Sequence, residues 1–411
     1  APGVDALSAS LERLAVSVEG GALSAEEAAA LYNDGHTVTA LTASLKAPAA
    51  ADVAGRNRWL ASPALGRTLR LAGGLLAHYE GQTPAVGLQK SVVEVAAVAA
   101  GAQPPALDVV QAAVECFRGA EAAHAKDKAA SGYTAVGMDD AFVFYCGVLG
   151  RKYAGAAAGA GTAPPSHWRA ATSAASAAAE ALARAQACVA AGMRGPALRQ
   201  AEQTLSSALE QRLPQILCEV MEGAKAAAGA SPDAAAAHAA AIRALSALCG
   251  AAPRAVTAAV PGLPAVPATT AATHFPLPAA LSPRHVSEQA DKGQDADRLL
   301  PDTVRRNVGE ALASAPRAVA ALLDTARAGL PAAAAQQPVW HAALHVLMQA
   351  PRHSAPLCSA VVAAGGADAL LAAATAAREG GSGQGAAAAL LALRAVVEGV
   401  PPGRAGASGT F

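Results

Sequence analysis

Apolar positions along this chain fall at i, i+3, i+4 and i+7, the spacing of one face of an α-helix. Gly- and Pro-bearing gaps cut them into helix-length pieces. One phrase returns three times. Leu213 to Val256, Val319 to Leu347 and Val361 to Val397 each read as an apolar helix, a gap and a second apolar helix. One helix pair cannot bury its apolar faces alone, so the recurrence predicts a stack of such pairs. No segment alternates apolar and polar residues as a half-buried strand does. The expected class is all-α: an α-solenoid of stacked antiparallel helix pairs, with helices of roughly 10–18 residues.

The same pattern sets boundaries. Residues 1–154 read as N-terminal helical repeats. Within them, Ala6 to Val18 carries Leu7, Leu11, Leu14 and Val18 on one face, and Ser24 with Glu27 spells a capping box. Further helices are expected at Leu65–Tyr79, Val86–Ala100, Ala106–Ala125 and Asp139–Tyr153. Residues 155–166 form a Gly/Ala/Pro linker, and 167–256 hold middle helical repeats with a break at Gly192–Pro196. Residues 257–301 begin proline-rich and end polar. They are expected to be an extended linker or excursion, with Val260, Leu263, Val266, Phe275, Leu277 and Leu281 seeking cover on a partner. Residues 302–400 are C-terminal repeats, and 401–411 are a flexible tail.

Composition changes the picture of the core. Hydrophobic residues make up 53% of the chain but aromatics only 3%, because 120 of the 411 residues are alanine. Alanine favours helix and lets helices approach closely, yet each contact buries little area. The 41 leucines and 32 valines must therefore supply most of the apolar burial. Only Ile216 and Ile242 are isoleucine, and 24 arginines stand against 7 lysines, biases that suit a very GC-rich genome.

Charge excludes little and supports little. The net charge is +0, and the densest basic cluster, Arg305-Arg306, is too small for a nucleic-acid stripe. Cys116, Cys146, Cys188, Cys218, Cys249 and Cys358 are scattered without a CxxC, which fits small buried thiols in a reducing, intracellular compartment. The longest uncharged run, Ala255 to Pro283, contains six prolines and is no membrane helix. The chain starts Ala1-Pro2-Gly3 without Met, so its true start is removed or not represented, which is compatible with a cleaved organellar transit peptide.

Two resemblances bear on function. Val362-Ala363-Ala364-Gly365-Gly366-Ala367-Asp368-Ala369-Leu370-Leu371, followed by Ala389-Leu390-Leu391-Ala392-Leu393, resembles an armadillo repeat. In that family a short helix leads through a glycine turn to two longer ones. Leu322 to Leu370 and Leu344 to Leu390 repeat at about 46–48 residues, the HEAT and armadillo range. The resemblance implies a scaffold that binds proteins. It does not extend to the asparagine ladder by which armadillo proteins hold extended peptides, since Asn33, Asn57 and Asn307 are the only asparagines. Separately, Met138 to Tyr153 is similar in rhythm to the octotricopeptide and FASTK-like repeats of organellar RNA-associated proteins.

Candidate chemistry is sparse. His341 and His345 stand at i and i+4, the spacing of a zinc-binding helix, with His353 or Cys358 as a third ligand. The pair lacks the Glu of HExxH and reads as two polar residues on a repeat helix. Asp139-Asp140 fits the start of a helix, where carboxylates meet the N-terminal dipole. Gly381-Ser382-Gly383-Gln384-Gly385 lacks the Lys-Ser/Thr of a phosphate loop and reads as an inter-helix loop. Gly155 and Gly159 form a GxxxG outside any apolar stretch. Phe142, Phe144, Tyr145 and Tyr153 read as core aromatics or a partner anchor.

No catalytic, cofactor or metal residue is assigned, and no cofactor is expected. The expectation is a non-enzymatic scaffold or structural subunit that binds other proteins in a larger complex, without a membrane span. The alternative is an organellar RNA-associated helical-repeat protein. The expected location is an organelle, the mitochondrion first, or a cytoskeletal or ciliary assembly.

Overall fold

The computed structural model describes residues 35–46, 53–76, 83–102, 105–127, 139–151, 163–190, 196–250, 296–328 and 337–399. These residues form α-helices and one short 3-10 turn, with no strand among them. In chain order the helices are α1 Gly35–Ser44, α2 Val53–Leu60, α3 Pro63–Leu76, α4 Thr83–Ala100, α5 Leu107–Asp127 and α6 Asp139–Gly150. Next come α7 Pro165–Ala190, α8 Pro196–Glu210, α9 Leu213–Ala227 and α10 Pro232–Leu248. The last set is α11 Ala296–Ala313, α12 Pro316–Arg327, α13 Gln337–Gln349, the 3-10 turn Ala350–His353, α14 Ala355–Ala363, α15 Gly366–Glu379 and α16 Gly383–Glu398.

Prolines that punctuate the sequence turn out to open helices rather than merely break them. Pro63, Pro165, Pro196, Pro232 and Pro316 each occupy the first helical position, where the missing N–H is not needed and the fixed φ suits the helix. Ser231, just before Pro232, caps α10 by accepting from the Ala234 N–H at 3.3 Å. Ser354 does the same for α14, accepting from the Leu357 N–H.

The described residues group into two compact units. The first draws on 1–178, 193–200 and 230–236, the second on 179–192, 201–229 and 237–411. In the first, α3 lies against α4 and α5, α1 packs on α3 and α4, and α5 meets α6. The α3–α5 contact is close because Gly73 carries no side chain: a Cβ there would stand 3.0 Å from Cys116 Cα. Phe117 and Tyr145 are sealed in this unit, and Leu69, Leu71 and Leu76 of α3 are buried as well.

In the second unit, α12 packs on α9, α13 and α15, and α16 packs on α13 and α15. Alanine makes these contacts thin. Ala369, Ala373 and Ala377 of α15 and Ala389, Ala392 and Ala395 of α16 are all buried. Trp340 is the largest fully buried side chain, and its Nε1 donates to the Ala326 carbonyl at 2.9 Å. At the α14–α15 junction Gly365 takes φ 73°, the left-handed region. Gly366 then lies so close to Val361 that a Cβ would stand 2.6 Å from its carbonyl oxygen.

Several expectations fall differently. Helices range more widely than expected, from the 8 residues of α2 to the 26 of α7. Helix α11 begins at Ala296, within the polar end of the 257–301 stretch expected to be non-helical, and Pro301 lies inside it. Pro301 has no N–H for its i→i−4 bond, so the first turn is held by one bond fewer, while burial of its ring favours the packed helix. The expected helix at 6–18, the Ser24 capping box, most of the 155–166 linker, residues 257–295 and the tail from 401 lie outside the described residues. No single described helix is long and apolar enough to cross a membrane. The pair Ala355–Ala363 and Gly366–Glu379 is apolar enough only when joined, and it bends by 77°.

Candidate functional site

The residues singled out as metal ligands are each engaged elsewhere. Helix α13 keeps His341 and His345 one turn apart but presents them to different surroundings. His341 is half-buried and stacks edge-on against Trp340, with ring centroids 5.1 Å apart. His345 points inward, 3% exposed, with Nδ1 2.9 Å from Ser246 Oγ on α10. Cys358 Sγ donates to the Pro351 carbonyl at 3.2 Å, and burial pushes its thiol up to about 11. His353 Nε2 stands 4.0 Å from Asp302 Oδ1. Among the described residues no three His, Cys, Asp or Glu side chains gather where they could hold a metal ion.

What the fold brings together is a polar cluster at the C-terminal end of α10. A helix end leaves carbonyls without intrahelical donors, and here side chains from distant segments supply them. Gln186 Nε2 of α7, itself buried, donates to the Leu248 carbonyl at 3.1 Å. Arg305 Nε of α11 donates to the Cys249 carbonyl at 2.8 Å. A guanidinium at this end also meets the negative pole of the helix dipole. Asp302 fixes Arg305 from one turn earlier, accepting from Nη1 at 2.7 Å.

His345 sits beside this arrangement as a neutral imidazole. Burial chiefly, and then the Arg305 charge, hold its pKa down at about 4; the Ser246 contact partly offsets them, and Arg352 lowers it further. Its Nε2 is buried without a hydrogen-bond partner among the described residues. A serine beside a histidine is half of a nucleophilic relay, but that relay also needs a group orienting the base and a path for substrate. Among the described residues His345 has no orienting partner on its second nitrogen, and Ser246 is only 7% exposed. The pair therefore joins α10 to α13 inside the unit. His238 makes a similar bridge, its Nδ1 3.2 Å from the Met221 carbonyl, and burial lowers its pKa too.

The remaining candidates resolve into local structure. Asp139 and Asp140 are the first two residues of α6. The glycine-rich run opens α16, with Ser382 Oγ accepting from the Gly385 N–H at 3.1 Å. Phe144 meets Phe117 edge-on at 5.6 Å, and Tyr145, fully buried, donates from its hydroxyl to Glu121 Oε2 at 3.4 Å. Phe142 is buried as well, so the aromatics serve the core of the first unit; Tyr153 and the GxxxG lie outside the described residues. Sequence reading missed the Ser246–His345 and Arg305–Cys249 contacts because their partners are 99 and 56 residues apart. The Arg305-Arg306 doublet was the one visible trace of this cluster.

No protein-family model matches this chain, and no curated protein matches it. The class that fold and cluster define is an all-helical protein of many packed helices, whose polar side chains tie the C-terminal end of α10 to α7 and α11.

Proposed function

We propose that this chain is a non-enzymatic scaffold or structural subunit, its helix pairs stacked in the armadillo or HEAT manner and offering a surface to other proteins of a larger assembly. One observation carries the reading. At the C-terminal end a short helix, a left-handed glycine turn and two longer helices follow one another as α14, Gly365, α15 and α16. The two longer helices leave Leu371, Leu390 and Val397 about half exposed, at 49%, 50% and 51%. Leu390 and Val397 are seven residues apart, so they share a helix face. Apolar residues on one outer face suit protein contact better than they suit a solvated helix. The interior polar side chains support the same reading, since they are occupied in joining helices.

Co-fractionation tests it. In native extract the chain should elute far above its own 40.3 kDa. Leu390→Glu with Val397→Glu should return it to that mass while leaving helicity and melting temperature unchanged, because both sites are solvent-facing. Elution of the unaltered chain as a free monomer would sink the proposal. Steeply salt-dependent binding to single-stranded RNA would replace it with the RNA-associated reading.

A further inference from the structure

We infer that the acidic segment at residues 1–34 docks on an arginine-bearing face of α2 and α3 and closes the first unit by charge. The two stretches are adjacent blocks of opposite sign in a chain of net charge +0. Residues 1–34 carry Asp5, Glu12, Glu19, Glu26, Glu27 and Asp34 against Arg13 alone, six acids less one base, or −5. Residues 35–76 carry Lys46, Arg56, Arg58, Arg67 and Arg70 against Asp52, five bases less one acid, or +4. Asp5, Glu12 and Glu19 recur every seven residues, which puts them on one face of the helix expected around Ala6 to Val18. That face is separate from the one carrying Leu7, Leu11, Leu14 and Val18.

The fold brings the arginines to one corner. Helices α2 and α3 are joined by a tight turn, in which the Ser62 N–H donates to the Trp59 carbonyl and the Leu65 N–H to the Ser62 carbonyl, both at 3.1 Å. That turn and the helical rise hold the Cα atoms of Arg58 and Arg67 within about 20 Å. Arg58 and Arg70 are exposed, Arg56 and Arg67 are half-buried, and no acidic residue stands among the described residues of α1, α2 and α3. Helix α2 has 8 residues and buries only Leu60, leaving Val53 63% exposed. So short a helix is marginal on its own propensity, and cover from elsewhere in the chain would stabilise it. Charge and attachment select the occupant. An external acidic partner or a second copy would meet the same arginines, but the complementary acids are already joined to α1 at Gly35. Such attachment gives an effective concentration on the order of millimolar. Even wholly helical, residues 1–34 span about 50 Å, enough to cross this corner. The contact does not depend on the scaffold reading.

Arg13 is the only trypsin site in residues 1–34, so limited trypsin cleavage there reports whether the segment is held. In the full chain Arg13 should be cut at least about tenfold more slowly than in a synthetic peptide of residues 1–34. Arg58→Glu with Arg70→Glu, both at exposed positions, should keep the helicity and speed the cut at least about fivefold. Glu19→Gln with Glu26→Gln should do the same, and all four changes together should add little, because either pair breaks one contact. Cutting of the unaltered chain at the peptide's rate overturns the contact. So does an unchanged rate in the folded arginine variant, or effects of the two pairs that multiply when combined. Protection that deepens with protein concentration places the segment on a second copy and overturns the intramolecular assignment. If Arg58→Glu with Arg70→Glu loses helicity, the acid variant decides alone: a gain of at least about threefold supports the contact, and an unchanged rate overturns it.

Discussion

His345 shows what a single polar residue does inside a core made mostly of alanine. Its ring is enclosed by Ser246 from α10, with Arg305 from α11 and Arg352 from the 3-10 turn as the charges that lower its pKa. A proton added there would be a further positive charge, buried beside two arginines. Folding holds its pKa near 4, against 6.5 in the unfolded chain, so the unfolded chain takes up the proton first as pH falls. The stability contributed by neutral His345 is complete above about pH 6.5 and is lost as pH drops toward about 4. Between pH 7 and pH 5 the loss is about 2 kcal/mol, in a range where most carboxylates stay ionised. Urea melts at those two values should show a lower midpoint at pH 5. His345→Gln should reduce the difference, leaving the contributions of His167, His238 and His353, whose pKa values burial also lowers. An undiminished pH dependence in the variant would remove His345 from the explanation.

At the scale of elements, glycine at the α14–α15 junction does two different jobs at adjacent positions. Gly365 supplies a left-handed backbone, which an alanine would adopt at about 1 kcal/mol. Gly366 supplies room against the Val361 carbonyl, where a methyl group must displace backbone at about 1–3 kcal/mol. Gly366→Ala should therefore lower the melting temperature more than Gly365→Ala, and the reverse order would mean that the turn, not the packing, is decisive. The sequence made this junction legible, because the Gly-Gly pair interrupts two apolar periodic runs. The expected helix starts at Leu65, Val86, Ala106 and Asp139 fall within three residues of the observed starts at Pro63, Thr83, Leu107 and Asp139. The phrase opening at Leu213 coincides with the start of α9, but no Gly or Asn marks the left-handed turn before it, which Arg212 makes at φ 54°. The polar cluster was hidden for another reason. Periodicity reports which face of a helix is apolar, but not which distant helix end a Gln186 or an Arg305 will reach. His341 and His345 illustrate the same limit: their spacing is that of a ligand pair, and the environment given to each ring decides otherwise.

For the whole molecule, the alanine content decides how stability is distributed. Thin helices bury little area per contact, so the few large side chains carry a disproportionate share: Trp340 in the second unit, Phe117 and Tyr145 in the first. When each unit rests on its own anchors, cutting one should loosen its surroundings without unfolding everything. Trp340→Ala removes a fully buried indole together with the donor to the Ala326 carbonyl, a loss of about 3–5 kcal/mol. Amide exchange read by mass spectrometry should then show lost protection in α12, α13 and α16, which form the surroundings of Trp340. Protection in α3 and α5 should stay at its original level. A uniform loss in both units would instead make the chain one cooperative body, in which an anchor anywhere supports the whole.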